Sequence, residues 1–192
     1  MLIQRFVLAT FALLAPTAAL AHTGVGPVNS FWAGLAHPVL GADHLLAMVA
    51  VGLWAALAAP RLFWVAPAGF LAGMLGGGFP GMTGLAFPGV ELMIAGSVVL
   101  FGALALFKVQ APAVLAFSAA AIFGAAHGFA HGAEMPLGGG ALQYAAGFLI
   151  ATATLHAIGA ATGLTVKHFN LVRLGQAAGG AVAAAGVVLT VL

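Results

Sequence analysis

Of the 192 residues, 64% are hydrophobic and only 4% are charged, and the mean hydropathy is +1.19. A soluble domain carries about 25% charged residues, so this composition excludes a water-soluble globular protein and identifies an integral membrane protein. Five basic against three acidic side chains are too few for a nucleic-acid footprint, despite a sequence pI of about 9.7, and the lack of cysteine excludes disulfides and thiolate metal sites.

The chain opens with MLIQR, a short positive segment, followed by the apolar FVLATFALLAP and the small-residue pattern ALA before His22. These are the parts of a secretory leader, so residues 1–21 read as a cleaved signal peptide and residues 22–192 as a single domain. An uncleaved first membrane helix is the alternative, but its apolar core falls short of the ~20 residues a span needs. In either case the segment after Ala21 starts outside the cytoplasm.

Gly, Pro and the few charges then mark off six apolar spans, at Phe31–Ala59, Leu62–Phe79, Gly89–Phe107, Pro112–Gly132, Ala141–Val166 and Leu171–Leu192. None alternates as a membrane barrel strand does. With the mature N-terminus outside, Arg61, Lys108, Lys167 and Arg173 all fall on the cytoplasmic side, as the positive-inside rule requires. The expected fold is an all-α membrane protein, a six-helix transmembrane bundle with both termini outside. Three helices following three in inverted order are compatible with an inverted-repeat transporter. A homo-oligomer is compatible with the sequence as well.

Gly occurs at four-residue spacing inside the spans, as in GAAHGFAHG, and lets helix backbones approach closely where lipid removes the hydrophobic driving force. There is no G-x-x-x-x-G-K sequence, so no nucleotide partner is expected.

The chemistry therefore lies in the few ionisable groups at membrane depth, which are expensive there and face a bundle interior or water path. In the fourth span, His127, His131 and Glu134 share one helical face, the second and third lying roughly 40° and 20° from the first. Two imidazoles at i and i+4 with a carboxylate beyond them suit a divalent ion. Packing histidines and a loop glutamate are the plainer alternative. In the first span, HPVLGADH supplies His37, Asp43 and His44. His37 and His44 share a face but stand about 10.5 Å apart on a regular helix, too far for one ion held at about 2.0–2.1 Å by each. Either the helix breaks, with Pro38 its first residue, His37 a ligand before it and Gly41 a soft point, or the two histidines serve successive positions.

Met48, one turn past His44, is a soft ligand or simple packing. The first span enters from outside and the fourth leaves outward, so His37 and Glu134 lie near the outer surface, with His44 and His127 near mid-membrane. Glu91, at the outer start of the third span, and His156, at mid-depth in the fifth with Thr152 one turn earlier, belong either to a metal pathway or to a solvated helix start and packing. His22 could chelate through its amine and ring, and His168 falls with the cytoplasmic basic residues.

His37-x5-Asp43-His44 followed by AMVAVGLWA, and His127-Gly-x-Ala-His131-Gly-x-Glu134, resemble the two signature motifs of the HupE/UreJ proteins, bacterial inner-membrane nickel or cobalt permeases associated with hydrogenase and urease maturation. The resemblance spans the whole chain and departs from the family pattern at Ala126, where a Phe is usual. It implies a permease and not an enzyme, with Ni²⁺ or Co²⁺ as cargo, the lipid bilayer as surroundings and no prosthetic group. Two other classes use the same cluster. An intramembrane metalloenzyme would need an open coordination position and a general base such as Glu134 or Asp43, and a substrate-sized cleft lined by polar groups beyond the cluster would favour it. A haem-binding electron carrier would pair histidines from different helices and absorb visible light.

Overall fold

The computed structural model describes residues 31–135 and 140–191; the expected leader and His22 lie outside them. Among the described residues there are seven α-helices and no strand: α1 (Phe31–Leu40), α2 (Ala42–Ala58), α3 (Val65–Gly81), α4 (Val90–Leu106), α5 (Ala113–Glu134), α6 (Ala141–His168) and α7 (Val172–Leu189). Three of them, α5, α6 and α7, are long and apolar enough to cross a membrane, and α1 with α2 makes a fourth if the bent pair is one span. Large apolar side chains such as Phe79, Ile122, Ile150 and Leu174 point outward from the helices, where water would penalise them and acyl chains do not.

Pairing between helices follows the glycines. In α3, Gly69, Gly73, Gly77 and Gly81 lie against the backbone carbonyls of Phe117, Ala121, Ala125 and Phe129 in α5. Gly124, Gly128 and Gly132 of α5 lie in return against those of Phe70, Met74 and Gly78. The constant offset makes α3 and α5 parallel and in register over about three turns, and any Cβ on this seam would drive the backbones apart. The seam is a run of small-xxx-small contacts whose Cα–H groups face carbonyl oxygens. It is the most extensive helix pair in the fold.

A second parallel seam joins α6 to α1 and α2. Gly34 and Gly52 rest on the carbonyls of Tyr144 and His156, while Gly147 and Gly159 rest on those of Phe31 and Val49. A third, antiparallel, sets Gly102 against Gly179 and Ala183, and Gly186 against Val98 and Val99. Exchanging α1–α4 for α5–α7 maps the first two seams onto each other and the third onto itself, the relation an inverted repeat produces. The pairing of α2 with α4 has no comparable counterpart between α5 and α7.

The second seam exposes the one irregularity that matters. From Gly34 to Gly52 the chain advances 18 residues, while continuous α6 beside it advances only 12, from Tyr144 to His156. The difference, roughly 9 Å of helix at 1.5 Å per residue, is absorbed where α1 meets α2 at an angle of 83°. The turn is made by Gly41, in extended conformation with φ −88° and ψ 114°. This corrects the expectation that Pro38 begins the helix: His37 and Pro38 both lie inside α1, and the amide of Gly41 still donates to His37 O at 3.3 Å. Packing of Gly34 on Tyr144 holds α1 helical through the proline, and the break falls at the next glycine.

The opposite end is tied by side chains that satisfy carbonyls at helix ends and in the loop after α4. Lys167 donates to Leu57 O at 3.0 Å, Gln176 to Leu106 O at 2.8 Å, and the Trp54 indole to Val109 O at 2.8 Å. Both α4 and α6 close with paired Schellman bonds around Lys108 (φ 53°) and Asn170 (φ 58°) in the left-handed region.

Two neighbouring glycines separate the seam from propensity. Gly77 faces Ala125 O, whereas a Cβ on Gly76 meets nothing within 4 Å. Gly77→Ala is expected to destabilise by about 1–3 kcal/mol through overpacking, seen as a lower melting temperature in detergent. Gly76→Ala is expected to be neutral or stabilising by up to about 1 kcal/mol.

Candidate metal-binding site

The break at Gly41 brings the two histidines of the first span together. Their rings stand 6.1 Å apart between centroids, against about 10.5 Å of rise on an unbroken helix. Both rings meet α5, because the glycine strip of α5 faces α3 and so turns the face carrying His127, His131 and Glu134 toward α1 and α2. His131 lies 4.7 Å from His37 and 4.6 Å from His44, and His127 lies 5.0 Å from His44, all between ring centroids. Glu134, the last residue of α5, places Oε2 4.0 Å from His37 Nε2. One ligand atom each from His37, His131 and Glu134 lies within 4.8 Å of the others.

These contacts form a ladder with a direction. At its outer end the side chains of Glu134 and His37 are 41% and 22% exposed. Further in, His44, His131 and His127 are buried. Exposure therefore falls from the carboxylate inward, the order in which an ion entering from the α5 C-terminus would meet these groups.

Hydrogen bonds fix which nitrogen is offered. Asp43 Oδ1 accepts from the backbone N–H of His44 at 2.8 Å and from its Nδ1 at 2.7 Å. His127 Nδ1 donates to Phe123 O at 2.9 Å. In both rings Nδ1 carries the proton and Nε2 presents a lone pair, the arrangement by which a carboxylate or carbonyl orients a metal-binding imidazole. Asp43 thus positions His44 as well as supplying charge beside it.

The free lone pairs have no protein partner. Among the described residues, Nε2 of His44 and His127 and both ring nitrogens of His131 and His156 are buried without a hydrogen bond. Each such group costs about 1–3 kcal/mol when left unsatisfied. Clustered together, those of His44, His127 and His131 suit something that accepts lone pairs, as a borderline divalent cation does.

The other residues singled out in the sequence fall elsewhere. Met48 is fully buried in the apolar core, the packing alternative. Glu91 is exposed in the first turn of α4 and outside the ligand cluster. His156 is buried in α6 beyond the ladder, and Thr152 turns its hydroxyl to Phe148 O at 2.9 Å. His168 rests on Phe169 at 4.9 Å.

Three lining residues were missed: Tyr144, 6.0 Å from His37, Phe148, 4.1 Å from His131, and Phe70, 4.9 Å from His127, all between ring centroids. Extending the His156 face back by single turns reaches Thr152, Phe148 and the chain's one tyrosine, Tyr144, so spacing carried a signal for two of them. Nothing in the sequence marks Phe70. Tyr144, Phe148 and His131 also border a largely apolar cavity of about 380 Å³ between α3, α5 and α6.

Comparison with known proteins identifies the family. The family model described as HupE / UreJ protein matches residues 9–189. Protein HupE of Rhizobium leguminosarum bv. viciae is 42% identical over 184 residues, covering 94% of each chain. No solved structure matches. The resemblance carried by the two histidine motifs is thereby established: the chain belongs to the HupE/UreJ family.

Proposed function

We propose that this protein carries Ni²⁺ or Co²⁺ across the bacterial inner membrane into the cytoplasm, supplying hydrogenase or urease maturation. The observation that carries the reading is the ladder itself: histidines from α1, α2 and α5, ordered from an exposed carboxylate to the buried interior, with buried ring nitrogens of His44, His127 and His131 that accept or donate no hydrogen bond among the described residues. A cluster that grades from an exposed carboxylate to buried imidazoles suits passage, whereas a catalyst needs substrate beside its metal and a haem carrier needs a slab of space between two imidazoles.

Residues 1–21 are the leader in this reading, and residues 22–192 a single transport domain of six spans, the first of them broken. Both termini lie outside. The parallel seams, joining first span to fifth and second to fourth, and the antiparallel seam joining third to sixth, support that alternation. The ion is captured between Glu134 and His37, exchanges water for His131, His44 and His127 with Asp43 lending charge, and is released inward. Broken helices at the binding site are a recurrent feature of secondary transporters.

Moving a divalent ion inward releases about 4.6 kcal/mol per 100 mV, twice the single-charge value, so no nucleotide is required. Because a ligating imidazole must be neutral, protons compete with the ion and uptake declines on acidification. Affinity alone favours Cu²⁺ or Zn²⁺ over nickel and cobalt, which leaves discrimination to the geometry of the imidazole and carboxylate set.

Radiotracer uptake in metal-starved cells tests the reading. His44→Ala and His131→Ala are each expected to lose at least about tenfold in nickel or cobalt uptake. Unchanged uptake in both would sink transport through this site, and wild-type uptake of zinc alone would sink the metal assignment. A third variant addresses the break. A Cβ on Gly41 would lie 3.0 Å from Asp43 Oδ1 and 3.1 Å from His44 Nδ1. Gly41→Ala is therefore expected to reduce uptake severalfold with expression and melting temperature little changed, since Ala also favours an unbroken helix by about 1 kcal/mol over Gly.

A further inference from the structure

Beyond His127 the ladder changes character. The rung after it is the phenyl ring of Phe70, on α3, whose centroid lies 4.9 Å from His127 and 5.1 Å from the ring of His156 on α6. Phe70 is fully buried and His156 is 2% exposed. One aromatic ring thus separates the deepest histidine of the described cluster from another histidine further along the same line.

His156 is poorly explained as packing. Both of its ring nitrogens are buried without a hydrogen bond among the described residues, whereas His127 ties Nδ1 to Phe123 O and His44 ties Nδ1 to Asp43. An apolar ring would fill the volume without leaving two polar atoms desolvated. The backbone beneath the ring is held in place: Gly52 packs on His156 O and Gly159 on Val49 O. The imidazole is delivered to a fixed position in an apolar setting, facing Phe70.

Phe70 has a fixed backbone and a side chain as its only freedom. Its carbonyl is covered by Gly124, so the ring can clear the path by rotating but not by a shift of α3. A phenyl ring packed between two imidazoles blocks a hydrated cation, as hydrophobic constrictions do in channels.

We propose that His156 is an inner binding station for the transported ion and that the Phe70 side chain is the gate between it and the outer ladder. This rests on the transport reading and adds a site and a moving part to it. Nickel flux into proteoliposomes containing the full-length protein, paired with nickel titration of the same protein in detergent, is the test. His156→Asn is expected to lower flux by about tenfold or more, the scale on which metal-site residues act, while nickel affinity at the outer ladder stays within about threefold and the melting temperature holds. His156→Gln serves as the second variant if the asparagine protein does not fold. Phe70→Leu, which keeps apolar volume and removes the ring, is expected to raise flux severalfold. Normal flux in both His156 variants, or loss of flux together with loss of outer-ladder binding, would overturn the inner station. Unchanged flux in Phe70→Leu would overturn the gate. Wild-type protein that binds nickel and carries none would overturn the transport reading, and the proposal with it.

Discussion

One backbone break governs the candidate site. On a continuous helix, seven residues separate His37 from His44 by about 10.5 Å, and the two motifs of the chain could not share an ion. The bend at Gly41 brings the two rings to 6.1 Å between centroids, so that both contact His131 and the aspartate of the second half-helix sits against its own histidine. A broken helix would leave backbone polar groups exposed to lipid. Here the unbroken α6 touches both halves through glycine contacts above and below the break, while Val39 and Leu40 at the break itself are exposed.

Close helix approach is the second requirement, and it explains why a chain so rich in glycine is also so specific in where the glycines lie. The strip Gly124, Gly128 and Gly132 presses α5 onto α3, which leaves the opposite commitment of the helix, its His127, His131 and Glu134 face, to α1 and α2. Glycine supplies contact on one side of α5 so that chemistry can occupy another. At the far end, lysine, glutamine and tryptophan donors close the helix termini, and the apolar core fills the space between that end and the ladder. The half at the α5 C-terminus carries the polar groups and is partly open, and apolar side chains fill the core.

Much of this was legible in the sequence. Composition identified the membrane, period-four glycines identified the seams, and helical spacing placed His127, His131 and Glu134 on one face. The seven-residue gap between His37 and His44 showed that a regular helix would not serve. The break falls at Gly41, the expected soft point, and only the helix start at Pro38 was misplaced: proline weighs on the residue before it, yet α1 stays helical through Pro38, with Gly34 packed on Tyr144. Partner choice between seams was not legible, since every glycine strip offers the same surface and only the assembled bundle decides which carbonyls meet it. For the same reason Phe70 carried no mark: a phenylalanine in an apolar span looks like core until the rings on either side of it are known.

The most direct measurement is nickel X-ray absorption on the purified full-length protein, comparing wild type with His44→Ala and His131→Ala. A site shared between the two motifs predicts several imidazoles around the metal and a loss of about one in each variant. An imidazole count that falls in one variant and is untouched in the other would contradict it, because the metal would then belong to a single helix and the break at Gly41 would have no part in holding it.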